Sequence, residues 1–434
     1  MLRNRRLRWI GLLSVFQFAL LVVAVDDINF ERGRMKAMLT IVAHEVERNY
    51  YDPSMHGLDW KALTDESAQR ISQSKSPGQM MTAIFSQLFK LQDSHTVFIP
   101  PLRQETIKFG FGAKPFGNDI RIDKLDQDGV AEKAGLQLGD QILSINGFNT
   151  LRENFDLMML DFRALRPVRA MDIEYQRGDA PAQRLKLEGK AIVRGALTNL
   201  NDSFSIWQLV REAEDASRVE TAFHSYEGGI TYLRLASFMI EPESLEGLMK
   251  NARDSKAIIF DLRDNHGGRT DTLATLAGFF QPSPVEMVQI LGRKKQESLK
   301  VKPEHLQFAG PLFVLVDSES ASASEMFARY FQKSGRAVVI GDHTQGKVNA
   351  ARFFPLVMGD EFKVPFGVEI TVAQVKFPDG EILENRGVAP NQVCLPTGQD
   401  LHEKRDPCRA LAVRMARKAL SLPEGQVTAA SDEK

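Results

Sequence analysis

Cysteine is scarce in this sequence: Cys394 and Cys408 are the only two among 434 residues. Neither has the neighbouring cysteine or histidine residues that a metal site requires, so the sequence predicts no metal and no other cofactor. In an oxidising compartment the two thiols could form a disulfide that closes the C-terminal segment. Two free thiols are the alternative.

A strong net charge is also lacking. The chain carries 55 lysine and arginine residues against 56 aspartate and glutamate residues, a formal net charge of −1. No global field therefore favours nucleic acid as a partner, and short basic clusters such as residues 293–295 are interpreted as solvated surface. A chain of this length is too long for one hydrophobic core, so two or three domains are expected.

The first 25 residues differ from the rest of the chain. Four arginines between residues 3 and 8 precede the uncharged residues 9–25. A basic flank before an apolar run is typical of a secretory signal peptide or an N-terminal membrane anchor, and the basic side is expected to stay in the cytoplasm. A buried core helix is the alternative. We therefore assign residues 1–25 to a signal peptide or anchor and expect a periplasmic or otherwise exported protein.

The remaining sequence divides into three regions by pattern. Apolar residues at helical spacing predict an N-terminal helical region over residues 30–101. Residues 105–192 alternate strand-like segments, the first over residues 107–113, with glycine turns and two short helices. From residue 229 onward, apolar strands alternate with helices, which is typical of a sheet covered by helices. Residues 423–434 are expected to be disordered.

A candidate nucleophile lies in a turn between a predicted strand and a predicted helix. The apolar strand 312–316 runs into the sequence Asp-Ser-Glu-Ser-Ala-Ser-Ala-Ser-Glu of residues 317–325. At such a turn a serine side chain lies beside the free N–H groups of the helix N-terminus, which stabilise developing negative charge. Taken alone, a cluster of this kind is more commonly a helix-capping turn.

Two further segments supply the groups that a serine nucleophile needs. His343 and Lys347 both follow the next predicted strand, and either could accept the serine proton. A lysine does so only where burial lowers its pKa from about 10.4 by about three units. Gly267 and Gly268 end the buried strand that begins at residue 257, and the N–H groups of paired glycines can form an oxyanion hole. A surface lysine and a plain tight turn are the alternatives.

These three segments, in this order, resemble the signature of the carboxyl-terminal processing proteases, also called tail-specific proteases. The family's Asp-Leu-Arg-x-Asn-x-Gly-Gly motif is matched by residues 261–268, and its Ser-Ala-Ser-Ala-Ser-Glu motif by residues 320–325. The family's lysine lies 25 residues after its nucleophile, as Lys347 does after Ser322. The resemblance assigns catalytic roles to four residues: the nucleophile Ser322, the general base Lys347, and the oxyanion donors Gly268 and Ala323.

The resemblance covers most of the chain and implies a multidomain α/β fold. It comprises the N-terminal helical region, an inserted PDZ domain over residues 105–192 that is β-rich with two helices, and a catalytic domain over residues 205–395 with ClpP/crotonase-like strand–helix layers. Residues 396–434 would form a C-terminal helical extension and tail. The PDZ stretch that would receive a peptide C-terminus as an added strand consists of Phe109, Gly110, Phe111 and Gly112.

One position departs from the family. The family places glutamine four residues after its lysine, where the side chain orients the amine, and this sequence has Ala351 there. Along a strand, positions 347, 349 and 351 would face the same way. We therefore expect Asn349 to hold the Lys347 amine, with Gln345 as the alternative.

The sequence thus predicts a serine endopeptidase with a Ser322–Lys347 dyad. Its substrates would be proteins or peptides with exposed C-termini. An adaptor protein is a further candidate partner, and the N-terminal segment is a candidate membrane tether. One alternative is a catalytically weak or inactive binding or adaptor protein on the same scaffold, which Ala351 favours. Another is a histidine-dependent hydrolase that uses His343 or His95.

Overall fold

The computed structural model describes residues 7–101, 105–193, 221–359 and 363–423, with side chains from residue 28 onward. The side chains of the predicted leader over residues 1–25 and residues 424–434 of the predicted tail therefore lie outside the described part. Among the residues described with side chains, no helix has both the length and the apolarity to cross a membrane.

The N-terminal helical region forms as the sequence predicts. Its helices are α1 (Leu7–Asn49), α2 (Trp60–Gln73) and α3 (Pro77–Phe89), and a short strand, β1 (Val97–Ile99), follows them. Side chains cap two of the helices, because Asp59 accepts the N–H of Ala62 and Ser76 accepts the N–H of Gln79. The apolar helix faces pack against Phe366, Val368 and Ile370 of a strand far along the chain.

Residues 105–193 form an inserted β module with its own apolar core. Its elements are β2 (Glu105–Lys108), β3 (Phe111–Phe116), β4 (Asp119–Leu125), α4 (Val130–Lys133), β5 (Gln141–Ile145), β6 (Phe148–Asn149), α5 (Phe155–Leu160), β7 (Ala170–Gln176), β8 (Gln183–Glu188) and β9 (Lys190–Val193). The main sheet has the order β3-β4-β5-β7-β8, and β2 pairs with β9 in a separate ribbon.

The prediction of one strand over residues 107–113 is wrong. The chain breaks into β2 and β3 at Gly110, whose φ of +70° lies in the left-handed region that glycine adopts without strain. The Gly110 carbonyl accepts the N–H of Asp126 at 3.0 Å. Asp126 directly follows β4, so this hydrogen bond holds the break between β2 and β3 in place.

The rest of the chain builds a sheet covered by helices. Its elements are β10 (Ala222–Tyr226), β11 (Ile230–Arg234), α6 (Pro242–Asn251), β12 (Ala257–Asp261), α7 (Thr270–Gly278), β13 (Val285–Gly292), β14 (Gln296–Val301), β15 (Leu312–Val316), α8 (Ala323–Lys333), β16 (Ala337–Gly341), β17 (Ala350–Met358), β18 (Val364–Lys376), β19 (Gln392–Val393), α9 (Gly398–His402) and α10 (Pro407–Ala419). The central sheet has the order β10-β11-β12-β15-β16-β19 and is parallel from β11 to β19.

Burial on both faces explains the uninterrupted apolar strands of this sheet. Residues of α6, α7 and α8 join the core on one face, and residues of α10 join a second core on the other. Every residue of β12 and β15 is buried, as expected for strands that helices cover on both sides.

The structure also contains a second sheet, which the sequence does not predict. Its order is β1-β18-β13-β14, and β17 pairs with the free side of β18 as a long antiparallel hairpin. Strand β17 begins at Ala350, so Lys347 and Asn349 precede it. The expectation that these two residues lie on one face of a strand is therefore not met.

A disulfide joins Cys394 to Cys408, with the two Cα atoms 5.6 Å apart. This confirms the disulfide alternative of the sequence analysis. The bond closes the segment that carries α9 and secures the first turn of α10 to the end of β19.

Candidate active site

The two glycine- and serine-rich turns meet because β12 and β15 are parallel neighbours. The carboxyl ends of such strands lie at one edge of the sheet, where α/β proteins place their sites. The carbonyl of Asn265 accepts the N–H of Ala321 at 3.0 Å and the hydroxyl of Ser324 at 2.9 Å. Direct hydrogen bonds thus join the turn after β12 to the turn after β15.

Ser322 adopts an unusual backbone conformation at the N-terminus of α8. Its φ of +54° and ψ of −115° are uncommon for a residue with a side chain, and such strain costs of the order of 1–3 kcal/mol and concentrates at functional sites. The side chain is half-buried. The backbone N–H of Ser322 donates to the carbonyl of Lys347 at 2.8 Å, which brings the predicted base segment against the predicted nucleophile.

Two backbone N–H groups beside Ser322 are available to a ligand. Ala323 is the first residue of α8, and Gly268 ends the neighbouring turn; within the described part of the chain neither N–H donates to a protein acceptor. A Cβ on Gly267 would lie 2.7 Å from the Ser322 Cβ and 2.8 Å from the Ala323 nitrogen. Only glycine permits this approach, so the predicted oxyanion donors lie on two turns in close contact.

Glu325 organises the backbone around Ser322. Its buried carboxylate accepts the N–H groups of Ser322, Gly346 and Lys347 and the hydroxyl of Thr344. Burial raises the pKa of Glu325 to about 7, although these hydrogen bonds favour the charged form. From the sequence, Glu325 is only the last residue of the serine motif. Its position three residues after the helix cap is the signal that predicts a contact with the Ser322 N–H.

The Lys347 amine lies near a carboxylate of the inserted module. It lies 3.9 Å from Asp156 Oδ2 on α5 of the inserted module, and its side chain is 35% exposed. Gln345 Nε2 donates to the same carboxylate oxygen at 3.5 Å. The described contacts of Ser322 and Lys347 include no hydrogen bond between hydroxyl and amine. The backbone therefore brings the dyad segments together while the two side chains remain unpaired.

Asn349 contacts a strand rather than Lys347. Its side chain is buried, and Oδ1 accepts the N–H of Val375 on β18 at 3.0 Å. Because β17 begins one residue later, the chain at Asn349 does not yet have the strand alternation that would aim its side chain at the amine.

His95, which the sequence analysis considered as an alternative base, lies near Lys347. Its Nδ1 is 2.9 Å from Ser94 Oγ, and the Ser94 N–H donates to Glu384 Oε1 at 2.9 Å. Glu384 Oε2 accepts the two backbone N–H groups that follow Lys347. Burial lowers the pKa of His95; the charge of Glu384 opposes this effect and that of Lys347 adds to it. The other histidine, His343, faces the carbonyl of Thr344 at 3.2 Å.

The predicted peptide-receiving stretch lies at the edge of the module sheet. Phe109 and Phe111 are buried in the module core, and β3 pairs with β4 on one side. The Phe111 carbonyl accepts a hydrogen bond from Arg163 Nη2 at 3.3 Å. An incoming strand on the open side of β3 would therefore compete with Arg163 for this carbonyl.

Lys114 on β3 connects the inserted module to the turns at the end of the central sheet. Lys114 Nζ contacts Asp264 and lies 2.7 Å from Asp317 Oδ2, and the Asp264 N–H donates to Asp317 Oδ1 at 3.0 Å. Burial alone would lower the pKa of Lys114, but Asp317 and Asp264 raise it above its usual range. In the described residues, no group of three or more His, Cys, Asp or Glu side chains is arranged to hold a metal ion.

Comparison with protein families decides the class of this site. The model of Peptidase family S41 matches residues 229–394, which include both turns and Lys347. The chain is a serine-type peptidase. The Tricorn protease C1 domain model matches residues 36–80 of the N-terminal helical region.

Curated relatives of the peptidase are carboxyl-terminal-processing proteases. The enzyme of Synechocystis sp. is 26% identical over 365 residues, which cover 80% of this chain and 78% of that protein. Carboxyl-terminal-processing peptidase 1 of Arabidopsis thaliana chloroplasts is 23% identical, with 78% and 67% covered. The similarity extends well beyond residues 229–394.

A solved structure supports the same fold. Mature CPAF superposes with a TM-score of 0.67 at 12% identity, covering 92% of this chain and all of that chain. At this identity the comparison concerns the fold of the peptidase and not its chemistry.

Proposed function

We propose that this peptidase is an endopeptidase with Ser322 as nucleophile and Lys347 as general base. The observation that carries the proposal is the strained Ser322 at the start of α8, hydrogen-bonded to the Lys347 backbone beside the unpaired N–H groups of Gly268 and Ala323. An oxyanion needs two such donors that are fixed before the reaction begins.

The reaction follows from these positions. Ser322 Oγ attacks the scissile carbonyl carbon while its proton passes to a neutral Lys347 amine, and the carbonyl oxygen becomes negatively charged near Gly268 and Ala323. The C–N bond then breaks as Lys347 returns the proton to the leaving amine. Water attacks the acyl-enzyme and loses a proton to Lys347, and Ser322 Oγ recovers the proton as the acid departs. The amine must first move from Asp156 toward Ser322 Oγ, because direct proton transfer requires the two groups to lie within hydrogen-bond distance.

Replacement of Ser322 tests the nucleophile. Ser322→Ala should lower cleavage of an unfolded protein by about 10³-fold or more and abolish labelling by a fluorophosphonate. Ser334→Ala, at the opposite end of α8 and exposed, is the matched control and should retain both. Undiminished cleavage by Ser322→Ala would refute the assignment.

A second candidate base is His95, favoured by the neutral form that burial maintains and by its chain of contacts through Ser94 to Glu384. With Lys347 as base, Lys347→Ala should lose about 10³-fold or more in kcat, and His95→Ala should lose less. The reverse order in kcat would identify His95 as the base, and the cleavage rates of the two purified variants decide between them.

We further propose that residues 105–192 form a PDZ domain that presents C-terminal tails to the active site. The support is the open edge of β3, the left-handed Gly110 before it, and relatives named for carboxyl-terminal processing. Main-chain hydrogen bonds to such an edge hold an added strand.

We also propose that the protein is exported, with residues 1–25 as leader or anchor. The basic flank, the uncharged residues 9–25 and the disulfide support this proposal.

A binding or adaptor protein on the same scaffold is the remaining candidate. The ion pair between Lys347 and Asp156 favours it, since the described contacts include no hydrogen bond between the amine and the Ser322 hydroxyl. Fluorophosphonate labelling discriminates, because an adaptor with an unactivated Ser322 would remain unlabelled while folded.

A further inference from the structure

The C-terminal segment, residues 394–419, is part of the catalytic domain although the S41 match ends at residue 394. Helix α10 covers one face of the central sheet, with Cys408, Ala412, Val413 and Ala416 buried against strands β11, β12, β15 and β16. The segment therefore reaches the carboxyl edge of the sheet from the face opposite α8.

Asp406 connects this segment to the turn after β12. It caps α10, since Oδ1 accepts the Arg409 N–H at 2.9 Å. Its two carboxylate oxygens also accept Nη1 and Nη2 of Arg263 at 2.9 and 2.6 Å. This two-point contact fixes the plane of the guanidinium as well as its position.

Arg263 is held from both sides. Its Nε donates to both oxygens of Asp261 at 2.9 and 3.0 Å, and Asp261 is the last residue of β12. Asp261 also accepts the hydroxyl of Tyr232 at 2.7 Å. Loss of the Asp406 charge would thus leave Arg263 with Asp261 as its carboxylate partner. The end of β12 would keep its hydrogen bonds.

The position of Arg263 matters because the turn of residues 262–268 delivers the Gly268 N–H. On its inner side the turn is hydrogen-bonded to the nucleophile turn through Asn265. On its outer side the Arg263–Asp406 pair fixes it to α10. Displacement of a catalytic group by about 1 Å can cost about 100-fold in rate, so this outer contact bears on catalysis.

The disulfide holds Asp406 in place. Cys408 lies two residues after Asp406, and the N–H of its partner Cys394 donates to the carbonyl of Gly341 at the end of β16 at 2.9 Å. The start of α10 is thereby fastened to the sheet edge that carries the turn.

We propose that Asp406 is a positioning residue for the oxyanion turn, acting through Arg263, and that the Cys394–Cys408 disulfide maintains this contact. The inference rests on the proposed function, since it concerns the donor Gly268. It assigns a catalytic contribution to a segment beyond the S41 domain match.

Three variants of the full chain test the proposal. Asp406→Asn keeps a helix-capping side chain but removes the charge that Arg263 binds, and Asp406→Glu restores the charge. Asp400→Asn is the matched control, because Asp400 accepts the N–H of Thr397, the cap of α9, in the same disulfide-closed segment and contacts Arg405 instead of Arg263. For Asp406→Asn we expect kcat to fall about 10- to 100-fold while KM changes by less than about twofold. Asp406→Glu should recover part of kcat, and Asp400→Asn should retain it.

Hydrogen exchange provides a readout independent of activity. Backbone amides of residues 262–268 should exchange faster in Asp406→Asn than in Asp400→Asn, and the same amides should exchange faster when Cys394 and Cys408 are both replaced by serine. These outcomes remain measurable if Ser322→Ala shows that Ser322 is not the nucleophile, so failure of the proposed function is distinguishable from failure of this inference.

Two results would overturn the proposal. One is a folded Asp406→Asn with unchanged kcat. The other is a loss of kcat that Asp400→Asn reproduces, which would indicate a general effect on the C-terminal segment. Unchanged exchange of residues 262–268 after replacement of both cysteines would remove the role of the disulfide.

Discussion

At the residue scale, the contact between Lys347 and Asp156 bears most directly on activity. The amine lies 3.9 Å from Asp156 Oδ2 and must leave this carboxylate before it can reach Ser322 Oγ. The lysine side chain is partly exposed, so solvent screens the pair and its free energy is modest, about 0.2–1 kcal/mol. Asp156 thus opposes the movement of the amine toward Ser322 without preventing it.

Asp156→Asn should therefore raise kcat/KM, because the Lys347 amine no longer has to leave a carboxylate to reach Ser322. A contact worth at most about 1 kcal/mol corresponds to a gain of at most about fivefold, since about 1.36 kcal/mol is tenfold in rate. Glu153→Gln removes an equal charge three residues away, where the side chain is exposed, and should leave kcat/KM unchanged. A lower kcat/KM in Asp156→Asn, or equal changes in the two variants, would contradict the role of Asp156.

Local motifs predict single residues well only where the motif itself supplies the contact. Ser322 and Gly268 lie in two turns that the sequence placed at strand ends, and the structure brings these turns together. The partners of Lys347 and Arg263 could not be predicted, because Asp156 and Asp406 lie 191 and 143 residues from them along the chain. No local periodicity encodes a contact over such a separation.

At the element scale, fully buried strands could be predicted from the sequence and partly buried strands could not. Strands β12 and β15 could be predicted because they are fully buried and apolar throughout, apart from Asp261 at the end of β12. The hairpin β17–β18 was missed. No residue of β17 is fully buried, so the strand has no alternating apolar pattern that the sequence would reveal. Its position is determined by its pairing with β18. The apolar pattern of a sequence reveals a strand only where the strand is buried on both faces or is buried at every second residue.

The module helix α5 shows how an element acquires a role from its position. The sequence predicted a helix over this region, and the structure has Phe155–Leu160 followed by a π-helical turn, Asp161–Leu165. Its first turn carries Asp156 toward Lys347, while Arg163 in the following turn reaches the Phe111 carbonyl on β3. One short segment therefore contacts both the base and the edge strand proposed to bind peptide tails.

At the scale of the whole molecule, docking of the module depends on buried charge. Lys114 at the end of β3 lies among Asp264, Asp317 and Asp123, all of them largely buried. Burial alone would raise the pKa of Asp264, but the charge and hydrogen bond of Lys114, together with the charges of Arg234 and Lys124, lower it. A carboxyl group with a lowered pKa contributes stability above its unfolded pKa of about 3.9 and loses it as the pH falls.

Lys114→Met should consequently destabilise the protein most near neutral pH. Removing one partner of a buried ion pair costs about 3–5 kcal/mol, since Asp317 would lose its ammonium partner and Asp264 would keep only Arg234. Without Lys114 the pKa of Asp264 should rise toward its usual range, so its buried charge is neutralised more readily as the pH falls and the difference in free energy of unfolding should shrink. Lys186→Met is the control, because Lys186 is exposed on β8 of the same module and its replacement should change stability by no more than about 0.5 kcal/mol. Urea unfolding at pH 7 and pH 4.5 measures both variants; a difference between Lys114→Met and wild type that grows toward acid pH would show that the lysine does not neutralise these carboxylates.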